Sequence, residues 1–196
     1  MTTVKASVQS DTDNGSWPVS QPDIISPTIC DFGRLFADEF DYVCAVLRRL
    51  GVRAGDVEDV AHDVFLVVYR RLDSFDTSRP VRPWLFGIAY RVTAAYRRAT
   101  ARKEYTSEDA VDAVHEGPSA EDSLHRRQSR QLLLQALERI SFDRRAILIM
   151  HDIDDQPMRV IAETLNIPLF TGYSRLRLAR RELARTVKRF RAAEER

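Results

Sequence analysis

Two cysteines, Cys30 and Cys44, are all that this 196-residue chain holds. Two thiols build no disulfide framework, and their spacing suits no metal site. If one helix carries both, they stand about 21 Å apart, which argues against a bond between them. A reducing cytoplasm fits this usage. The N-terminus lacks the Lys/Arg-led apolar stretch of a secretory signal. No run approaches the length of a membrane span. Stretches of convincing strand alternation are missing as well. These absences leave a cytoplasmic all-α protein with no membrane insertion of its own. Net charge is almost absent too, at +1, but its distribution is uneven. From Asp31 to Asp76 ten acidic side chains face six basic ones, a net of −4. From Thr171 to Arg191 eight basic side chains face one acidic, a net of +7. Such opposed ends suggest different partners.

The apolar pattern divides the chain. Residues 1–24, rich in Ser, Thr, Asp, Gly and Pro, read as a disordered tail. Then Ile29, Phe32, Phe36, Phe40, Val43 and Leu47 recur at helical steps, and Gly51 is a plausible stop. A second helix is predicted to start at Asp56 as N-cap, with Val57, Val60, Ala61, Val64 and Val68 as its buried stripe. Glu58, Asp59, Asp63 and Arg70 lie on its opposite face. A third helix is predicted from Pro83–Trp84, burying Leu85, Ile88, Ala89, Val92, Tyr96 and Ala99. Residues 104–122 are polar and acidic and read as a flexible linker. Helical signal returns at Leu124, with a short helix from Asp143 to about His151 and two more over 157–165 and 171–190. The expected architecture is two small helical domains, 25–103 and 123–196.

Two constellations carry chemistry. The segment Met158 to Leu183 reads as helix-turn-helix. Asn166-Ile167-Pro168 breaks the first helix, Ile167 plugs the core, and Thr171 caps the second. Leu176, Ala179, Leu183, Val187 and Phe190 form one stripe, with Arg177, Arg181, Arg185 and Lys188 opposite. Such a helix enters the major groove by its N-terminal end, while arginines grip phosphates or guanine edges. In the first half, an acidic amphipathic helix precedes a basic one bearing Trp84, Phe86, Tyr90 and Tyr96. Trp84 and Leu85 are core candidates. Tyr90, Arg91, Thr93, Ala94, Arg97 and Arg98 are the exposed set, able to stack unpaired bases and neutralise phosphates.

In order, the chain has Asp56-Val-Glu-Asp-Val-Ala, Arg82-Pro-Trp-Leu-Phe-Gly-Ile-Ala, a basic helix, Gly117-Pro-Ser-Ala-Glu-Asp and a helix-turn-helix. This order resembles the extracytoplasmic-function (group IV) sigma factors of bacterial RNA polymerase, over about residues 28–190. The resemblance implies that the first domain is similar to sigma region 2 and the second to region 4. It implies polymerase docking by Asp56, Glu58, Asp59, Asp63, Phe65, Leu66 and Tyr69. It implies −10 strand binding by Tyr90, Arg91, Ala94, Arg97 and Arg98, with the loop Asp76–Arg82. It implies −35 duplex reading by Thr171, Tyr173, Ser174, Arg175, Arg177, Leu178 and Arg181. Core polymerase, promoter DNA and an anti-sigma factor are the implied partners. No metal, no cofactor and no catalytic residue are implied.

The sequence departs from that family at Arg91 (usually Asn), Ala95 (usually acidic), Phe170 (usually Gly), Gly172-Tyr173 (commonly Val-Lys) and Asp155–Met158 (Gly-Leu-Ser-Tyr-like). Gly172 costs on the order of 1 kcal/mol in helix propensity. These changes predict a divergent −35 preference or, more sharply, a weakened −35 contact. Two rival functions are a helix-turn-helix regulator that never meets polymerase and an HD-type metal phosphohydrolase built on His62-Asp63 and His151-Asp152. The second needs further converging ligands, and only His115 and His125 remain.

Overall fold

The computed structural model describes residues 27–104 and 131–194. The tail at 1–24, the linker beyond Glu104 and the helical signal returning at Leu124 fall outside the described residues. Among the described residues every regular element is a helix, in keeping with the all-α reading.

Helix α1 runs Pro27–Leu50. Val43, Val46, Leu47 and Leu50 are fully buried, at the helical period the sequence shows. Gly51 ends it at φ +92, with the Gly51 and Val52 amides donating to the Arg48 and Leu47 carbonyls at 3.1 and 3.0 Å. Glycine is needed here because of its positive φ and because a Cβ would run into the Arg145 guanidinium.

After a 3-10 turn at Ala54–Asp56, α2 spans Val57–Arg71 and buries Val57, Val60, Ala61, Val64, Phe65 and Val68. Asp56 occupies the N-cap position but makes no side-chain cap. Its carboxylate instead accepts the Tyr96 hydroxyl at 2.5 Å. Helix α3 runs Val81–Glu104, starting two residues before the expected Pro83. Pro83 sits in the first turn, where its missing N–H costs nothing. Leu85, Ile88 and Ala89 of the expected stripe are buried, and Phe86 joins them. Val92 and Tyr96 are half-buried and Ala99 is exposed. Tyr96 already reaches the start of α2, so Ala99 lies past the end of that layer.

In the second half, the described part of α4 covers 131–138. Helix α5 spans Phe142–Leu148 and passes into a π turn at Ile149–Ile153. Helix α6 spans Met158–Leu165 and ends on Asn166 in the left-handed conformation, φ 53. Helix α7 runs Leu169–Glu194, so Thr171 lies within its first turn and is not the cap that the sequence suggests. Ile167 packs against the core, as its plug position predicts. The glycine expected to weaken α7 has a packing reason: a Cβ on Gly172 would stand 2.6 Å from Met158 Sδ. The Met158 side chain therefore packs into the space that a Cβ at this position would fill.

Buried residues of both halves form one hydrophobic cluster. Arg145 of α5 lies inside it, 3% exposed. Its guanidinium donates to the carbonyls of Leu50, Glu138 and Ile140 at 2.9, 2.9 and 3.1 Å. Burial first, then nearby Arg97, pushes its pKa down to about 10. It stays charged at neutral pH, and carbonyl dipoles including the C-terminal end of α1 hold that charge.

Candidate nucleic-acid interface

The basic face of α3 is built on its buried one. Leu85, Phe86, Ile88 and Ala89 point inward, which turns Arg91, Arg97 and Arg98 outward. Tyr90 and Ala94 are half-buried. Thr93, an exposed candidate by sequence, is fully buried and its hydroxyl has no partner. Its position over the core outweighs its polarity.

Three members of this set meet the second half of the chain. The Tyr90 ring stacks on Phe142, centroids 4.9 Å apart and planes 11° apart. Its hydroxyl donates to Asp143 Oδ1 at 2.8 Å. Burial, followed by that bond, pushes Tyr90 up to about 12, so the hydroxyl keeps its proton at neutral pH. The Arg97 guanidinium lies 5.0 Å from the Phe142 ring centroid. Arg91 donates to the Gly87 carbonyl at 2.5 Å and to the Thr164 carbonyl at 3.2 Å.

Beside them a cleft of about 650 Å³ opens between the loop before α3, α3 itself and α6. Arg71, Arg79, Arg91 and Arg159 line it, with Phe75 packed on Trp84 at 4.6 Å. Arg79 bridges its mouth to Glu163 at 2.5 Å. The loop is shaped by Asp76, which accepts the Ser78 amide and hydroxyl at 3.0 and 2.6 Å. Those two bonds hold the Asp76 carboxyl below its usual range.

On α7, Tyr173, Arg177 and Arg181 are exposed, while Thr171, Ser174, Arg175 and Leu178 are half-buried. The apolar stripe is buried only at Leu176 and Ala179, and Val187 is exposed. Arg175 faces Asp143 Oδ2 at 3.6 Å. Phe170 is 84% exposed at the tip of the helix, with Leu169 beside it. Sequence reasoning assigned neither a role, although Phe170 stands where the resembling family has glycine. Arg180 grips Asp152 through Nε and Nη2 at 2.9 and 2.6 Å, which lowers the Asp152 pKa.

The acidic side of α2 presents Glu58, Asp59 and Asp63, with Leu66 and Tyr69 as exposed apolar groups. Phe65 is only 2% exposed. It lies 4.7 Å from the Phe36 ring and 6.0 Å from that of Phe40, so it supports this face from beneath rather than presenting itself on it. Asp56 is turned toward Tyr96. His62 packs on Phe36 and Phe40, and His151 bonds the same Asp152 that Arg180 holds. Among the described residues no three metal-ligating side chains converge. His115 and His125 lie outside the described residues. Asp143, which the sequence marks only as a helix start, touches both basic elements, and Phe142 beside it, which the sequence does not single out, touches α3 through Tyr90 and Arg97.

Comparison with known proteins follows the same division. Residues 35–103 match the family description Sigma-70 region 2. Residues 130–183 match Sigma-70, region 4. The chain is 28% identical over 155 residues to the ECF RNA polymerase sigma-E factor of Escherichia coli K12, covering 74% of this chain and 81% of that protein. It is 28% identical over 123 residues to the RNA polymerase sigma factor NccH of Alcaligenes xylosoxydans xylosoxydans, covering 61% and 66%. Among solved structures it is similar to CnrH in complex with the cytosolic domain of CnrY, at TM-score 0.56 and 25% identity over 80% of this chain and 87% of that one. RpoE of Bartonella quintana, solved with the anti-sigma factor NepR, shares the fold at TM-score 0.68 and 23% identity over 81% and 97%.

Proposed function

This chain belongs to the sigma-70 family as an extracytoplasmic-function sigma factor that directs promoter recognition and transcription initiation, and we propose that its two basic helices divide the promoter between them. Region 2, residues 25–103, takes the −10 element as single strand. Tyr90 supplies a stacking surface, and Arg91, Arg97 and Arg98 neutralise phosphates, with Ala94 leaving room between them. Region 4, residues 123–196, takes the −35 element as duplex. Thr171, Tyr173, Ser174, Arg175, Arg177, Leu178 and Arg181 lie on or beside the leading end of α7, and α6 braces it. Residues 104–122 link the two regions.

Core polymerase docks on the α2 face of Glu58, Asp59, Asp63, Leu66 and Tyr69, with Asp56 and Phe65 fixing that face from behind. A binding protein of this kind does no covalent chemistry, and its place is the cytoplasm, with the polymerase. Among the described residues no helix is long and apolar enough to cross a membrane. An anti-sigma factor is the remaining partner in this reading.

The observation that carries the reading is the exposure of Arg91, Arg97 and Arg98 on a helix that buries Leu85, Phe86, Ile88 and Ala89 on its other side, with the half-buried Tyr90 beside them. The test is transcription in vitro with core polymerase on a genomic promoter library. Specific start sites are expected, and Tyr90→Ala or Arg97→Ala is expected to reduce promoter opening. A library without any specific start overturns the reading. Promoter binding should weaken steeply with salt, because each phosphate contact releases counterions.

A further inference from the structure

We infer that Phe142 and Asp143 together form an internal stand-in for a nucleotide, seated in the slot through which Tyr90 and Arg97 hold the −10 strand. This inference rests on the assignment of α3 to the single strand. A nucleotide offers two things to such a slot: a flat π face and an anionic phosphate. Phe142 supplies the face, near-parallel to Tyr90 at 4.9 Å and 11° and within 5.0 Å of the Arg97 guanidinium. Asp143 supplies the anion, accepting the Tyr90 hydroxyl at 2.8 Å. Its second oxygen faces Arg175 of α7 at 3.6 Å. One carboxylate thus engages a DNA-reading candidate from each half of the chain.

The stand-in is held in place by contacts outside the slot. Tyr42 donates to Asp154 at 2.8 Å, Arg79 pairs with Glu163 at 2.5 Å, and Arg145 reaches back to the Leu50 carbonyl at 2.9 Å. In the free chain a DNA strand must therefore displace Phe142 and Asp143 before it stacks. The apparent affinity is the intrinsic one multiplied by the fraction of molecules with the slot open. The covered groups are the strand-binding ones, so the free chain is restrained from binding single strands on its own.

The test measures fluorescence anisotropy of the labelled non-template −10 strand of a promoter that the native holoenzyme opens, titrated with the full chain alone. Phe142→Ala and Asp143→Asn are each expected to tighten binding by roughly three- to tenfold, the scale of one lost aromatic or charge-assisted contact. Asp143→Asn preserves shape and tests the idea where Phe142→Ala disturbs packing. Adding Tyr90→Ala to either variant should erase the gain. Variants that bind no tighter than the native chain, or a gain that survives Tyr90→Ala, overturn the stand-in while the assignment of α3 remains. A native holoenzyme that opens no promoter overturns both.

Discussion

Gly172 shows how a residue unfavourable on a propensity scale can be required by its neighbour. Replacing it with alanine gains about 1 kcal/mol of helix propensity but places Cβ 2.6 Å from Met158 Sδ, an overlap that costs about 1–3 kcal/mol. Gly172→Ala should therefore lower stability in urea melts by about 1 kcal/mol. In a Met158→Ala background the same change should stabilise, and this reversal is what a double-mutant cycle reads. Asp155 is a related case. It takes φ 50 where the resembling family has glycine, and aspartate tolerates that conformation better than most side chains. Asp152 gives a pH signature. Its pKa is lowered, chiefly by the Arg180 bond, so its contribution is present above the ordinary value of 3.8 and lost as pH falls through the lowered one. Native chain and Asp152→Asn should differ in stability at neutral pH and converge in strongly acidic buffer.

At the scale of elements, the inward faces of α1 and α2 are readable from period alone. The stop at Gly51 and the break at Asn166 are legible because glycine and asparagine enter the left-handed region most easily. Phe65 was also legible. It falls at helical steps from Ala61 and Val68, both core positions, yet the family resemblance placed it on the docking face. Phe65→Ala should cost about 3–5 kcal/mol of stability. Leu66→Ala and Tyr69→Ala, at 55% and 51% exposure, should leave stability nearly unchanged and weaken capture of core polymerase. Binding and melting measured on the three variants separate support from contact. The start of α7 is less legible because its cap is not a Ser or Thr: Pro168 and the half-buried Ile167 set where the helix begins. Thr93 is legible by the same rule as Phe65, four residues after Ala89 and seven after Phe86, both core positions, although its hydroxyl disguises it. Asp143 is not legible, because its partners Tyr90 and Arg175 are distant in sequence and nothing within its own helix marks them.

At the scale of the whole molecule, the shared core predicts that both halves of the free chain unfold together. Arg145 is central to this, since its guanidinium joins three carbonyls from α1, α4 and the turn before α5. Arg145→Met keeps much of the volume but leaves those carbonyls without their donor. It should lower stability by about 2–4 kcal/mol and resolve thermal unfolding into two steps, which calorimetry detects. One sharp transition in the variant would mean that apolar packing alone couples the halves.

The choice of arginine at this junction has a further consequence. Much of what crosses between the halves is polar: the Arg145–Leu50, Tyr42–Asp154, Arg79–Glu163 and Tyr90–Asp143 contacts. Water can replace each of these groups' partners one at a time, whereas a greasy junction must expose its whole area at once. The polar part of this seam can open in small reversible steps, while the apolar core beneath it, to which both halves contribute, parts last and all at once.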